Sequence, residues 1–339
     1  MILIDGIIEN LQDYGGVSVY FQKLLIYLEV NKVDYRYYTF DKTSNLLNNS
    51  HNEVLKSRAL ERVRSFPSQE KGSIFHSSYY RTIKMKDVKN IVTLHDFTHE
   101  HKIPGIRSKL FTIQKYLSLK NADAIICISE STRNDMLNIY PEFIKKRIVI
   151  IPNGISSEFR YLPKVQNIYN KPFFIFIGSR ADYKRFDIAL DALRILKDYS
   201  LVVVGGGRMS DKEAEKYNDL TERVIIIKHA QEKELCELYN SARFLLYPSE
   251  YEGFGIPIYE AMACGCPVVV SRQNPANFKL PEYIYRIDLD VKSDLDKVLN
   301  SLITTNKEEY LKESIEYSSK FSWEKTHEST LRLYQEYLT

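Results

Sequence analysis

Short apolar runs alternate with longer segments of helical periodicity along most of this chain, and that alternation confines it to a parallel α/β architecture. A short run rich in Val, Ile and Phe, apolar at successive positions, reads as a strand buried on both faces. Parallel neighbours of such a strand can be reached only through a crossover, usually a helix. In the first half the strand candidates are Ile2–Asp5, Tyr35–Phe40, Ser73–His76, Ile91–Leu94, Ala124–Ile128 and Ile148–Ile151, with helical segments such as Val17–Leu28 and Ile106–Lys120 between them. A turn-rich stretch follows, Pro152-Asn153-Gly154, then Ser156-Ser157 and Pro163. The pattern then restarts: Phe173–Ile177, Leu201–Val204, Val224–Ile227, Phe244–Tyr247 and Pro267–Val270 are expected strands, and Phe186–Lys197, Lys233–Asn240 and Ile256–Cys264 expected helices. A length of 339 residues suits two domains. The expected organisation is a Rossmann-like domain over residues 1–154, a linker over 155–170, a second Rossmann-like domain over 171–321 and an amphipathic helix over 322–339 that opens on a Ser322 cap. Ligands of such sheets bind beyond the carboxyl ends of the strands.

Composition narrows the class. Apolar content of 44% and charged content of 27% are those of a soluble globular protein, and no run reaches the roughly 18 apolar residues of a membrane helix. The opening Met1-Ile-Leu-Ile-Asp5 lacks a basic segment before an apolar one, so a secretory signal is not expected. Cys127, Cys236, Cys264 and Cys266 lack zinc or redox spacing and read as reduced, buried thiols of a cytosolic protein. The net charge of +3 is uneven: residues 1–165 hold 24 Lys/Arg against 17 Asp/Glu, a balance of +7. The basic clusters, Arg81-Thr-Ile-Lys84-Met-Lys86 and Lys102, Arg107, Lys109 and Lys115, suit either an anionic membrane surface or plain solvation. No nucleic-acid-binding motif is present, and no nucleic-acid partner is expected.

The segment from Ser249 to Ser271 carries the densest chemistry. Glu252 and Glu260 are separated by seven residues, with Gly253-Phe254-Gly255-Ile256-Pro257 between them. Pro257 falls in a first helical turn, where a missing N–H costs nothing; Gly265 suits a helix end, and Val268-Val269-Val270 a buried strand. A helix N-terminus carries partial positive charge and free N–H groups and so suits a diphosphate. Carboxylates beside it accept hydrogen bonds from sugar hydroxyls. The combination describes a nucleotide-sugar site.

This block, with both glutamates, Gly-Phe-Gly, Pro, Glu-Ala-Met-Ala-Cys-Gly and Pro-Val-Val in register, resembles the glutamate-x7-glutamate signature of the GT-B glycosyltransferases, in particular the retaining family 4. The resemblance implies a GT-B fold, two Rossmann-like domains with parallel sheets facing a central cleft, with the last helix crossing back to the first domain. It implies that Glu252 binds donor-sugar hydroxyls and Glu260 the ribose, with Gly253, Phe254, Gly255 and Ile256 lining the donor site. Gly178-Ser-Arg180-Ala-Asp-Tyr-Lys184-Arg185 follows the first strand of the second domain. Family members use a lysine and an arginine there to neutralise the departing diphosphate. Lys184 matches the lysine. Arg180 or Arg185 is the arginine, because Tyr183 stands where the family often has it.

Further positions follow by the same resemblance. Gly15 and Gly16, in Asp13-Tyr14-Gly15-Gly16-Val17, match the glycine loop after the first strand, and His95, in Thr93-Leu94-His95-Asp96, the strand-end histidine that contacts the donor sugar. His229, within Lys228-His229-Ala230, falls where the base is read, and Gly205-Gly206-Gly207 ends a further strand. His76, Tyr79, Ser129 and Glu130 are acceptor-side candidates, and Asn153-Gly154 an interdomain hinge. Wording such as His76-Ser-Ser-Tyr-Tyr and Ile128-Ser-Glu-Ser-Thr is similar to that of bacterial O-antigen and capsule transferases. The expected reaction is retaining transfer of a hexosyl or N-acetylhexosaminyl unit without cofactor or metal, since no Asp-x-Asp lies near the donor residues. The expected donor is UDP-GalNAc or, alternatively, GDP-mannose, and the acceptor an undecaprenyl-diphosphate-linked saccharide. The expected location is cytoplasmic, peripheral on the inner face of the plasma membrane. A nucleotide-sugar 2-epimerase and a non-catalytic partner subunit on the same fold are the rival readings.

Overall fold

A computed structural model describes residues 1–12, 15–40, 51–67, 73–163, 168–208, 213, 215, 217–305 and 307–338. The chain packs as two units. One is Met1–Gly154 together with the segment from Trp323, and the other is Ile155–Ser322.

The first unit is built on a seven-stranded parallel sheet ordered β3-β2-β1-β4-β5-β6-β7. The strands are β1 (Ile2–Asp5), β2 (Tyr35–Phe40), β3 (Asn52–Leu55), β4 (Ile74–Ser77), β5 (Lys89–Leu94), β6 (Ala124–Cys127) and β7 (Arg147–Ile150). Strands β1, β4 and β6 are buried at every position, whereas the edge strands β3 and β7 are partly exposed. The asymmetry follows from the wrapping of central parallel strands on both faces. It also explains why β3, which has no apolar run, is not predicted by the apolar pattern. Helices α1 (Gly16–Val30), α2 (Thr98–Lys102), α3 (Ile106–Asn121) and α4 (Glu130–Ile139) belong to this unit. Strand order reverses between β1 and β4, the switch point at which such sheets open to ligands.

The second unit has a six-stranded parallel sheet ordered β10-β9-β8-β11-β12-β13. Its strands are β8 (Phe173–Ile177), β9 (Ser200–Val204), β10 (Val224–Ile227), β11 (Leu245–Tyr247), β12 (Val268–Ser271) and β13 (Tyr285–Ile287). Helices α5 (Phe186–Ile195), α6 (Glu232–Ser241), α7 (Ile256–Ala263), α8 (Lys292–Thr304) and α9 (Lys307–Ser318) accompany it. Phe174, Leu190, Leu193, Val203, Leu246 and Leu299 form one core cluster, in which Phe174 and Phe244 stack with ring centroids 4.9 Å apart. The switch point here lies between β8 and β11.

Helix α10 (Trp323–Leu338) returns to the first unit, where it packs against α1. Its buried residues Trp323, Thr326, His327, Thr330, Leu333 and Tyr334 recur every three to four positions and make one apolar face. Thr326 Oγ1 donates to the Pro152 carbonyl at 2.8 Å, and Arg147 pairs with Glu336 at 2.9 Å.

The structure changes two expectations and agrees with a third. The stretch read as a linker is not a free tether: Ile155 and Phe159 are buried, Ser156 Oγ donates to Glu232 at 2.7 Å, and Asn240 receives the Leu162 N–H at 2.7 Å, so these residues pack onto α6. Residues 164–167 lie outside the described residues. Two members of the predicted basic clusters are interior: Arg81 is paired with Asp5 and Glu61, and Lys115 with Glu100 at 2.8 Å. Carboxylates in hydrogen-bond contact satisfy these cations where water cannot. All four cysteines are free and buried, with Cys236 and Cys264 sulfurs 3.8 Å apart.

Candidate functional site

The loops that follow β8 and β11 meet at the switch point of the second unit. The first runs from Gly178, at φ 121°, through the turn Asp182–Lys184 to Arg185. The second leads from Tyr247 to Gly255, which takes φ 82° at the start of α7, a conformation that favours glycine. The two loops are tied by the Glu250 N–H, which donates to the Tyr183 carbonyl at 2.8 Å. Lys184 Nζ donates to the Glu252 carboxylate and to Tyr247 Oη, the latter at 3.2 Å. Both members of the ion pair are only slightly exposed, 12% for Lys184 and 14% for Glu252. The lysine stem passes over Gly178, whose missing Cβ would lie 3.8 Å from it.

Helix α7 starts beside this pair, and no side chain caps its N-terminus. Pro257 in its first turn removes a donor that would have no helical partner. Glu260, one turn further on, accepts from Tyr239 Oη at 3.0 Å, which fixes its carboxylate. The Phe254 ring is buried, stacked on Tyr259 at 4.6 Å and edge-on to Phe321 at 5.7 Å. Among the donor-side candidates, Gly253, Gly255 and Phe254 therefore offer backbone rather than side chain, and Ile256 begins the helix. A cation, a carboxylate and open helical N–H groups at one strand-end position can together hold a diphosphate and hydrogen-bond polyol hydroxyls.

The two arginines are placed differently. Arg180 is 6% exposed and spans the loop: its Nε donates to Glu213 at 2.9 Å, Nη1 to the Gly207 carbonyl at 3.2 Å and Nη2 to the Arg208 carbonyl at 2.7 Å. It clamps the Gly205-Gly206-Gly207 turn to the β8 loop. In this structure its fork is occupied by an acid and two carbonyls. Arg185, at φ 53°, bridges Asp187 at 2.9 Å and Glu250 at 3.1 Å. His229 is exposed just past the end of β10.

In the first unit, His95 follows β5 and packs edge-on to Tyr20, with centroids 5.3 Å apart. Its buried Nε2 has no hydrogen-bond partner, and burial lowers its pKa to about 4, so the ring is neutral near pH 7. Gly15 and Gly16 open α1 without a side-chain cap. Gly15 is extended, at φ 169°, and Asp13 and Tyr14 lie outside the described residues.

The acceptor-side candidates fare unevenly. His76 is not at the surface: it is fully buried, and its ring nitrogens bond Tyr334 Oη and, at 2.8 Å, Thr93 Oγ1. A side chain whose two polar atoms are consumed inside the core cannot contact an acceptor, so His76 is a core residue. Ser129 is the N-cap of α4, accepting from the Thr132 N–H at 3.0 Å, and Glu130 stands in the first turn beside it. Tyr79 is half-buried under the Arg62 guanidinium, which lies 4.8 Å from the ring centroid.

Sequence reasoning missed Tyr247 and Tyr239, which hold Lys184 and Glu260. Tyr247 is the last residue of β11, so the strand-end rule could have found it. Tyr239 lies on a buried face of α6 and gives no sequence signal. Among the described residues, no group of three or more His, Cys, Asp or Glu is placed to hold a metal ion.

Two family models match the chain: "Glycosyltransferase Family 4" over residues 14–159 and "Glycosyl transferases group 1" over residues 159–279. An uncharacterized glycosyltransferase of Methanocaldococcus jannaschii is 28% identical over 260 residues, 74% of this chain and 69% of that protein. The O-antigen chain mannosyltransferase B of Escherichia coli is 25% identical over 291 residues, 78% of this chain and 74% of its own length. Among solved structures, sucrose-phosphate synthase from Thermosynechococcus elongatus superposes with a TM-score of 0.78 at 17% identity, covering 99% of this chain and 98% of its own, which speaks to the fold.

Proposed function

The chain belongs to the GT-B glycosyltransferases of family 4, and from that membership we propose that it moves a hexosyl or N-acetylhexosaminyl unit from a nucleotide sugar to an acceptor hydroxyl with retention of configuration. The observation that carries this reading is the Lys184–Glu252 pair, set between the ends of β8 and β11 at the open N-terminus of α7. As the glycosidic bond breaks, negative charge gathers on the leaving diphosphate. Lys184 and the α7 N–H groups supply positive charge for it from positions set by the fold. This set of donors supports a reaction that needs no metal. Glu252 accepts from donor-sugar hydroxyls, and Glu260, held by Tyr239, from the ribose. In the first unit the candidates are His95, neutral and with its Nε2 lacking a hydrogen-bond partner, and the glycine loop at Gly15 and Gly16.

Two donors compete, UDP-GalNAc and GDP-mannose. The Escherichia coli relative is a mannosyltransferase of O-antigen chains, and this favours GDP-mannose. The proposed acceptor is a saccharide on undecaprenyl diphosphate, used by an enzyme peripheral on the inner face of the plasma membrane. Among the described residues no helix is long and apolar enough to cross a membrane. Thermal shifts with UDP, GDP, ADP and their sugars test the donor, because a ligand of the folded state alone raises Tm by mass action. The expected result is a shift with one nucleotide series and transfer from that series, unchanged by EDTA. Release of free sugar without an acceptor would replace transfer with epimerase chemistry. Flat curves with and without lipid-diphosphate saccharide would reduce the chain to a non-catalytic subunit.

A further inference from the structure

We propose that the outer face of α3 is a docking surface for an anionic lipid bilayer. Ser108, Phe111, Lys115, Ser118 and Leu119 turn one side of α3 into the first unit and are buried. At 100° per residue, Ile106, Leu110, Ile113 and Leu117 fall within an arc of about 60° on the opposite side. They are 78%, 60%, 55% and 49% exposed, and Ile103, just before the helix, adds 39%. A helix whose one side already fills a core does not need a second apolar stripe for stability. A continuous apolar row facing water marks an interaction surface.

The charge around the row selects the occupant. Residues 102–121 carry five Lys/Arg and no acidic residue. Lys115 is consumed inside, but Lys109 and Lys120 are exposed and flank the row on one side. A groove of about 580 Å³ runs alongside between α2 and α3, lined by His99, Glu100, Lys109 and Thr112 among others; Glu100 is already paired with Lys115, and Lys109 offers its ammonium to an anionic headgroup. Apolar side chains between lysines enter the acyl boundary while the ammonium groups stay among anionic headgroups. A second copy of this chain fits less well, because residues 102–121 of the copy would bring further cations to the contact and no carboxylate to pair with Lys109 and Lys120. The surface rests on the reading of a lipid-linked acceptor for its purpose, but its occupancy can be measured without any sugar chemistry.

The test is co-sedimentation of the full chain with phosphatidylglycerol-rich and with pure phosphatidylcholine vesicles, over a range of salt. Binding to the anionic vesicles that weakens with salt is expected. L110E/I113E should lower the partition coefficient at least about tenfold, and K109S/K120S should lower it and flatten its salt dependence. Both variants change exposed positions only, and their Tm and nucleotide-induced shifts should match the parent. Anionic-vesicle binding unchanged in L110E/I113E, or absent in the parent, would overturn the proposal. So would light scattering that shows a dimer dissolved by L110E/I113E. Vesicle binding by a protein that transfers no sugar to any acceptor would leave the surface standing and sink the functional reading alone.

Discussion

Glu252→Gln should separate nucleotide binding from turnover in opposite directions. In the resting structure the Glu252 carboxylate holds the Lys184 ammonium with both groups nearly excluded from water. A diphosphate approaching Lys184 must compete with that carboxylate. Two unit charges in contact attract by about 4 kcal/mol at an effective dielectric of 20. Tyr247 Oη also bonds the ammonium and remains in the variant, as does a neutral amide dipole at position 252. The competition removed is then on the order of 1–2 kcal/mol, which is about five- to thirtyfold tighter binding of the product nucleoside diphosphate. Turnover should move the other way, by about 10²–10³, because the carboxylate proposed to order the donor sugar is gone. Calorimetric titration of UDP and GDP at low salt gives the first number, and initial rates of transfer give the second. Lys184→Ala is the companion variant and should lose both affinity and turnover. Weaker nucleotide binding in Glu252→Gln would refute the reasoning, since it would place the carboxylate on the nucleotide side. Unchanged binding in Lys184→Ala would remove the lysine from the diphosphate.

Other outcomes follow from buried groups in the first unit. His76 and His327 are pulled down by burial to about 3, against 6.5 for a free histidine. Their neutral forms are retained in the fold, so stability is fully present above about pH 6.5 and falls as pH drops towards 3, by up to roughly 2.7 kcal/mol per pH unit for the two together. Thermal melts against pH should show this slope, and His327→Phe, which keeps a ring stacked on Trp323, should about halve it; an unchanged slope would contradict the assignment. Arg81→Leu leaves the buried Asp5 carboxylate without its cation and removes one of two guanidinium partners from Glu61, which keeps Arg58 at 2.7 Å; it should cost about 3–5 kcal/mol, a fall in Tm on the order of 10 °C. A drop of a degree or two would show that the two acids protonate without penalty. His95→Ala should leave Tm near the parent value, since its Nε2 bonds nothing, yet slow transfer about ten- to a hundredfold; rates within twofold of the parent would exclude it from the site.

The strand pattern of both sheets was legible wherever burial on both faces produced a run of apolar residues. β1, β2, β8 and β9 lie where those runs stand. The edge strand β3 and the short β13 were not legible, because an edge needs no apolar run and its residues resemble those of a loop. Helices α4, α8 and α9 follow the same logic, since half-exposed helices carry a sparse apolar stripe. Within the site, Lys184, Glu252 and Glu260 stood out because glycines and a helix-start proline surround them in sequence. His76 misled for the opposite reason. A histidine at a strand end looks the same in sequence whether its ring faces water or Tyr334, 258 residues away.

By itself the sequence determined the class of fold, the two nucleotide-fold halves and the donor-side block, because apolar periodicity and turn chemistry are local properties. Which charges are available was decided only by tertiary structure. Arg180, Arg81 and Lys115 are as basic in the sequence as Lys184 and Lys109. Three of them are spent inside the units on Glu213, Asp5 with Glu61, and Glu100. Long-range packing also set Lys184 against Glu252 and turned the α3 isoleucine and leucine row outward. The physical reason is that a charge or an apolar side chain acquires its role from its surroundings. Residues tens to hundreds of positions away in the chain supply those surroundings.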